Sequence, residues 1–413
     1  MHPAQPGWDL NGRALRWCLY AVLAACAAVG LNDLARIGWL GPDLHEDFFG
    51  IWSFARFGLL HPGTGIYDFT RLQAFQHATA PGFTGFYPCP YPPSFLAMIA
   101  WLGHLPIGPA KSVWTVAGLT LLAGAGWAMF RPPLRAFALL ALILAPASLL
   151  NATIGETAFF GTALLVAGFA WLPSRPMLAG LAFGLLTLKP QLGVLVPIAL
   201  LARADWRAIL TSMLTALGLA AASLLLFPLG LWRAWLRALP RYQQVMTTNS
   251  AHLSHFMATI NAAALDLHAP PNLALAAQII GGIAIALITW LCFRRADYRL
   301  AVAALLAGTA LAAPHDYVYD TVFLTPAMLL AVDWMATRRM RLSTPLLALF
   351  LAVYVFPLII THNAAACLTY IILEALLFAG LARLALGNAP ARENGGAART
   401  PLHDKPLKTW RPA

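Results

Sequence analysis

The sequence predicts an all-α protein that crosses a membrane about twelve times, and three observations carry that reading. Of its 413 residues, 60% are hydrophobic and only 10% are charged, with a mean hydropathy of +0.69; a soluble domain carries about a quarter of its residues as charges. Apolar runs recur from Trp17 to the neighbourhood of Leu386, each of roughly the 15–25 residues that carry a helix through a bilayer with every backbone bond closed internally. The basic residues behind the net charge of +11 sit in short clusters between those runs: "RADWR" at 203–207, "FRRADYR" at 293–299 and "TRRMR" at 337–341. This is the positive-inside pattern of a polytopic protein, not the footprint of a nucleic-acid binder.

The first span lies near Trp17 to Leu31, behind Arg13 and Arg16, which mark the inner side. A loop of about 60 residues, 32–90, follows on the outer side; connectors of that length usually carry function. Further spans are expected near 91–103, 112–130, 134–150, 155–172, 177–203, 207–230, 272–293, 300–313, 321–336, 345–361 and 364–386. Residues 1–386 thus form one membrane domain, and 387–413, rich in Pro, Gly, Ala and Arg, a disordered basic inner tail. Counting 177–203 once gives twelve spans and returns the tail to the inner side. It also leaves Lys189, Pro190 and Gln191 near mid-membrane and Arg131 and Arg135 outside. Splitting that run at Pro190 gives thirteen, and an earlier run must then be re-entrant; the sequence leaves both open.

Two stretches read as interfacial helices on the outer face. In "DFFGIWSFARFGLL", Phe48, Ile51, Trp52, Ala55 and Leu59 share one face, with Asp47, Gly50, Ser53 and Arg56 opposite. In "LWRAWLRALPRYQQ", Trp232, Trp235 and Leu239 recur at helical spacing while Arg233, Arg237 and Arg241 are spaced by four. The five cysteines show no paired spacing and no metal motif. "LAAC" at 23–26 resembles a lipoprotein processing site, but the apolar run continues past the cysteine and many spans follow.

Polar residues in costly places mark the candidate chemistry. Asp43, Glu46 and Asp47 crowd five positions after the first span, where a base facing a lipid-borne substrate would stand; Asp47 is the strongest candidate, with an N-cap of the following helix as its structural alternative. "TLKPQLG" sets Lys189 and Gln191 around a helix-breaking proline inside an apolar run, where a charge costs several kcal/mol unless it meets a cavity or a partner. "APHDYVYDTVF" gathers His315, Asp316, Tyr317, Tyr319 and Asp320, and "LLNATIGETAFF" adds Asn151 and Glu156. Tyr91, in "PYPPSF", is a candidate for the wall of the first loop, with the Pro-Pro after it equally a helix entry. His252 and His255 lack a third ligand, so no metal site is expected. Nucleotide-cradling glycines and a nucleophile elbow are absent.

The ordered series "EDFFGIWSFARFGLLHPGTGIYD", "YPCPYPPSFLAMIAWL", "NATIGETAFFGTALLVAG", "LLTLKPQLGVLVPIALLARADWRAIL" and "PHDYVYDTVFLTPAMLL" resembles glycosyltransferase family 87, which includes polyprenol-phosphate-mannose-dependent mannosyltransferases. The resemblance runs to about residue 335. It implies the GT-C fold, an extracytoplasmic first loop holding a catalytic Asp at Asp47, and a bacterial plasma-membrane enzyme working on its outer face. It also implies a hexose donor on polyprenyl phosphate, an inverting displacement onto a lipid or glycan acceptor, and no cofactor. Lys189, Gln191 and His315, with Arg237 and Arg241, would hold the donor, while Glu46, Tyr91, Asn151, Glu156, Asp316, Tyr319 and Asp320 are further site candidates. At Glu156 the family's glutamine is replaced. Membrane lipids are the expected partners, a monomer is the expected state, and a transporter of lipid-linked sugars is the competing class, against which the lack of repeated halves argues.

Overall fold

A computed structural model describes residues 8–10, 12–37, 47–61, 63, 65–248, 257–359 and 364–389. Among them there is no strand, only two isolated bridges, Trp8 with Leu342 and Met257 with Tyr317. The helices in chain order are α1 (Arg13–Ile37), α2 (Asp47–Leu60), α3 (Phe69–Thr79), α4 (Pro93–Ile99), α5 (Ile107–Met129), α6 (Arg135–Ile143), α7 (Pro146–Ile154), α8 (Ala158–Trp171) and α9 (Pro176–Leu185). They continue as α10 (Val196–Arg203), α11 (Trp206–Leu226), α12 (Leu229–Thr248), α13 (Ile260–Asp266), α14 (Pro271–Arg295), α15 (Tyr298–Ala312), α16 (Leu324–Thr337), α17 (Thr344–Val355) and α18 (Ala364–Gly387).

Among the described residues, six helices are long and apolar enough to cross a membrane. The pair α6–α7, bent by 43° at its break, would make a seventh, and five more apolar helices are shorter, at 10–17 residues. The chain is therefore membrane-embedded, and the burial pattern agrees: α15 is buried from Leu300 to Ala312 at the centre of the bundle, whereas α11 turns Leu210, Leu214, Leu217 and Leu225 outward. An apolar exterior is what lipid demands. Where α11 meets α9, small residues set the distance: a Cβ on Gly180 would come within 2.6 Å of the Ala208 carbonyl oxygen, and one on Gly184 within 2.5 Å of Thr215 Cβ.

One expected span is corrected, and of the two readings left open for 177–203 the divided one is found. Residues 91–103 form α4 and a 3-10 turn, Ala100–His104, too short to cross and packed against α2 inside the first loop. The run 177–203 breaks at Lys189, between 3-10 turns Leu186–Leu188 and Pro190–Gly193, because Pro190 cannot continue the helix and Lys189 adopts φ −143°, ψ 74°.

The first loop is a small helical layer with its own aromatic core. Phe48, Phe49, Phe54, Phe57, Tyr67, Phe83 and Phe95 are buried together with Trp114 of α5. This corrects the two-faced reading of α2, which is buried almost all round. Ser53, expected on the wet face, is buried, donates to Gly50 O at 2.8 Å and accepts from Gln76 at 3.0 Å; Arg56 donates to Gly103 O at 2.9 Å. Helix α12 exposes Arg233, Arg237 and Arg241 as expected, but its apolar face is turned from the expected one: Leu239 is exposed, and the helix sits on that layer through Leu231, Ala238 and Trp235, whose indole donates to Pro90 O at 3.0 Å.

Candidate active site

Four chain interruptions meet at one end of the bundle: the start of α2, the turn after α7, the break after α9 and a 3-10 turn, Val318–Phe323, that precedes α16. Each exists for a local reason. Gly155 ends α7 in the left-handed region at φ 76°, and its carbonyl accepts from Trp114 Nε1 at 3.0 Å, so Glu156 is turned back toward the first loop. Pro190 makes the break at Lys189 and frees its side chain from a regular helix. The 3-10 turn is closed by Asp320, whose Oδ2 accepts from the Tyr317 backbone N–H at 3.4 Å.

The side chains from these four places form one connected polar cluster. Tyr319 donates its hydroxyl to Asp47 Oδ2 at 2.8 Å. Lys189 Nζ donates to Asp320 Oδ1, stands 3.7 Å from Glu156 Oε2 and lies 5.8 Å from the centre of the Tyr319 ring. Glu156 is fixed in turn by Thr157, from N at 2.7 Å and Oγ1 at 3.0 Å, and by the Tyr91 hydroxyl at 3.3 Å. Tyr317 stacks on Tyr319 with ring centres 5.2 Å apart. Lys189 is thus buried and paired with two carboxylates, the partners that a charge inside an apolar run requires.

This environment tunes Asp47. Burial, and next the negative charge of Glu156, push its carboxyl from the ordinary carboxylate range up to about 7; the Tyr319 hydrogen bond and the Lys189 charge pull the other way. A carboxylate that titrates near neutrality, half-buried at the mouth of a helix and ringed by tyrosines, is equipped to take a proton from a bound hydroxyl.

The other candidates divide. Asp316 is fully buried behind Asp320; Asn151, in the last turn of α7, is fully buried with neither amide atom bonded among the described residues. His315 is half-buried, and burial lowers its pKa, so it carries no standing positive charge near neutrality. Gln191 is half-buried next to Lys189 and joins none of the cluster's bonds. Arg237 and Arg241 lie on the exposed side of α12, Arg241 with its guanidinium 4.7 Å from the Phe69 ring centre. Asp43, Glu46, His252 and His255 lie outside the described residues, as does the tail from 390. No group of three or more metal-ligating side chains suited to an ion occurs among the described residues.

One site residue escaped sequence reasoning. Tyr242 of α12 stands within electrostatic reach of Glu156, Cys89 and Asp47; its phenol is pushed up to about 12, by burial first and then by those groups. It shares a face with Leu231, Trp235 and Ala238, at spacings of four, three and four, a stripe that points inward while the arginines point out.

The sequence profile of glycosyltransferase family 87 matches residues 90–314, more than half of the chain. Tyr91, Asn151, Glu156 and Lys189 fall inside that range; Asp47, Tyr319 and Asp320 fall outside it, Asp320 bonded to Lys189 of the range and Asp47 to Tyr319. No curated protein and no solved structure matches.

Proposed function

Since the chain belongs to glycosyltransferase family 87, we propose that it moves a hexose, mannose in our reading, from a polyprenyl-phosphate sugar to a lipid or glycan acceptor on the extracytoplasmic face of a bacterial plasma membrane. The fold in this reading is GT-C, and the carrying observation is Asp47: a carboxylate held at Oδ2 by Tyr319, with its pKa pushed up to about 7.

The reaction is an inverting displacement. The acceptor oxygen attacks the anomeric carbon as Asp47 takes the hydroxyl proton; the bond from that carbon to the phosphate oxygen breaks, and its electron pair leaves with polyprenyl phosphate. Asp320 and Glu156 already neutralise Lys189, so Lys189 orients those acids more than it offers a free charge; His315 donates a hydrogen bond to the leaving phosphate, and Arg237 and Arg241, exposed on the outer side of α12, serve it only by swinging toward the cluster when the donor binds. Phosphate is a good leaving group, and the step as written is complete without a metal. Tyr91, Tyr242 and Tyr317 supply flat, hydrogen-bonding walls suited to a sugar ring.

Incubating the purified protein with radiolabelled polyprenyl-phosphate-mannose and a membrane lipid extract tests the reading. Label should move from the donor into a lipid or glycan fraction, with equimolar polyprenyl phosphate released. Label that stays on the donor, with mannose and with other hexoses in its place, would overturn it.

A further inference from the structure

A cleft that the proposed transfer does not use runs between α1, α6, α16 and α17, with an empty volume of about 650 Å³, part of it open to the surroundings. Its walls are buried or half-buried and almost wholly apolar; Leu15, Leu19 and Leu23 come from α1, Met328 from α16 and Phe350 from α17. One end is closed where Tyr354 of α17 donates to Ala141 O of α6 at 3.0 Å. Leu10 and Leu342 line the other end, its mouth, where Trp8 and Leu342 exchange backbone hydrogen bonds at 2.7 and 3.0 Å. Beyond the closed end α1 packs tightly: a Cβ on Gly30 would overlap Leu149 of α7. Along its first turns the cleft takes the place of such packing.

Walls of this kind call for an apolar filling. An unfilled gap forfeits dispersion contacts on every side, and an apolar lining gives water too few partners to hold it. The dimensions name the filling. From Leu15 to Leu23 the cleft follows α1 for about 12 Å at roughly 1.5 Å per residue, close to the depth of one leaflet of a hydrocarbon core about 30 Å thick. One acyl chain lying along the membrane normal fits such a space.

The mouth selects the head group. Arg13 and Arg16 are exposed in the first turn of α1 and, with Leu19 of the cleft wall, recur every third residue along one side of the helix. Side chains of a helix lean toward its N-terminus, so both guanidinium groups lean out toward the head-group layer. Neither pairs with an acid among the described residues, whereas Arg203, Arg299 and Arg338 of the other basic loops pair with Asp205, Asp333 and Asp297. Beside them Trp17 and Tyr20 are exposed, where amphipathic rings settle at the level of the head groups, and Tyr20 meets the cleft wall edge-on at Phe137 with ring centres 5.5 Å apart. A zwitterionic lipid brings its own cation to its phosphate, so two uncommitted arginines favour a head group of net negative charge. We propose that the cleft holds one acyl chain of an anionic phospholipid from the adjoining leaflet, its head group bound by Arg13 and Arg16. The lipid then completes the packing of α1 against α6, α16 and α17. This site does not depend on the transferase reading.

Photocrosslinking on the full-length protein tests it. The probes are phosphatidylglycerol and phosphatidylcholine carrying the same acyl chains, with a diazirine near the end of one chain, each diluted into nanodiscs of unlabelled phosphatidylcholine. The phosphatidylglycerol probe should crosslink to cleft residues of α1, α16 and α17, and the phosphatidylcholine probe far less. Labelling of the cleft to the same extent by both would mean contact with bulk lipid only and overturns the proposal, as does a cleft that neither probe labels because another part of the chain or a second copy fills it. Competition needs no variant: excess unlabelled phosphatidylglycerol should displace the probe from wild type at concentrations where added phosphatidylcholine does not, and equal displacement by the two overturns the proposal. Arg13→Gln combined with Arg16→Gln should lower cleft labelling by the phosphatidylglycerol probe by about thirtyfold, the worth of two arginines at a charged head group; unchanged labelling removes the arginines from the site. Leu19→Trp, which fills the cleft from its half-buried wall, should abolish the cleft crosslinks with both arginines in place, and crosslinks that persist there would place the chain elsewhere.

Discussion

Asp47 carries its pH dependence in its surroundings. Its pKa stands near 7 because burial and Glu156 favour the neutral acid, so below that pH the base is protonated and idle. kcat/KM should therefore rise about tenfold per pH unit up to neutrality and level off above it. Asp47→Asn, which keeps the shape of the side chain, should lower turnover by about two to four orders of magnitude and abolish that slope; near wild-type rates in this variant would remove Asp47 from the mechanism. Tyr319→Phe offers a finer check. The Tyr319 hydroxyl donates to the ionised carboxylate and lowers its pKa, so its loss should carry the acid limb to higher pH without abolishing turnover. Lys189 gives a test of the opposite kind, one of stability. Lys189→Met strands Asp320 and Glu156 as buried acids without a cation, which costs about 3–5 kcal/mol. Adding Asp320→Asn should return part of that loss in thermal unfolding, and a double variant no more stable than the single one would show that the pair is not coupled. That Lys189 needed a partner was legible in the sequence, since a charge in an apolar run is costly. Which partner it took was not, because Asp320 is 131 residues away and no local pattern joins them.

Helices fix these side chains through a few tight approaches, and the turn after α7 is the most exposed to substitution. Gly155 sits at φ 76°, and a Cβ there would come within 2.5 Å of Phe48 Cβ, the residue next to Asp47. Gly155→Ala should cost at least about 1–2 kcal/mol from the left-handed backbone alone and should also slow transfer, because Phe48 must move and α2 with it. Thermal unfolding with a parallel transfer assay checks both; a variant as stable and active as wild type would mean that α2 yields without displacing Asp47. The sequence read the arginine face of α12 correctly and misread α2, for one physical reason. Periodicity reports how polarity is distributed around a helix, and α12 uses its faces as composed: Arg233, Arg237 and Arg241 outward, Trp235 and Tyr242 inward. In α2 the polar face is covered as well, because α3 brings Gln76 onto Ser53 and Tyr87, bonds at 3.0 and 2.9 Å that satisfy it in the interior. Such a tertiary cover leaves no mark in the helix's own pattern.

At the scale of the molecule, the corrected span and the break after α9 offset each other. Dropping 91–103 from the apolar segments and dividing 177–203 in two keeps their number even among the described residues, which places Arg131 and Arg135 at the end opposite the polar cluster. Helix α5 starts beside the cluster, where Trp114 bonds Gly155, and ends at Met129; there Arg135 donates to Phe130 O at 2.8 Å and lies over the Trp127 ring. The same end should gather the other basic loops, and it does: Arg203 pairs with Asp205, Arg294 donates to Ala202 O, Arg299 bonds Asp333 and Arg338 bonds Asp297. The difficulty with charge placement that the sequence left open is thus met by dropping 91–103 as a span and dividing 177–203 at Pro190. If that basic end faces the cytoplasm, the Asp47 cluster opens on the outer face, where a donor carried on polyprenyl phosphate is presented. Of the five cysteines Cys18 is exposed and the other four are buried, so a background with Cys18→Ser suffices for labelling. In it, Ala78→Cys, exposed on α3 of the first loop, should react with a membrane-impermeant thiol reagent in intact cells, whereas Ser174→Cys, exposed in the turn between α8 and α9, should react only after lysis. The reverse order of labelling would face the site to the cytoplasm, where nucleotide sugars are available, and the case for a lipid-borne donor would fall with it.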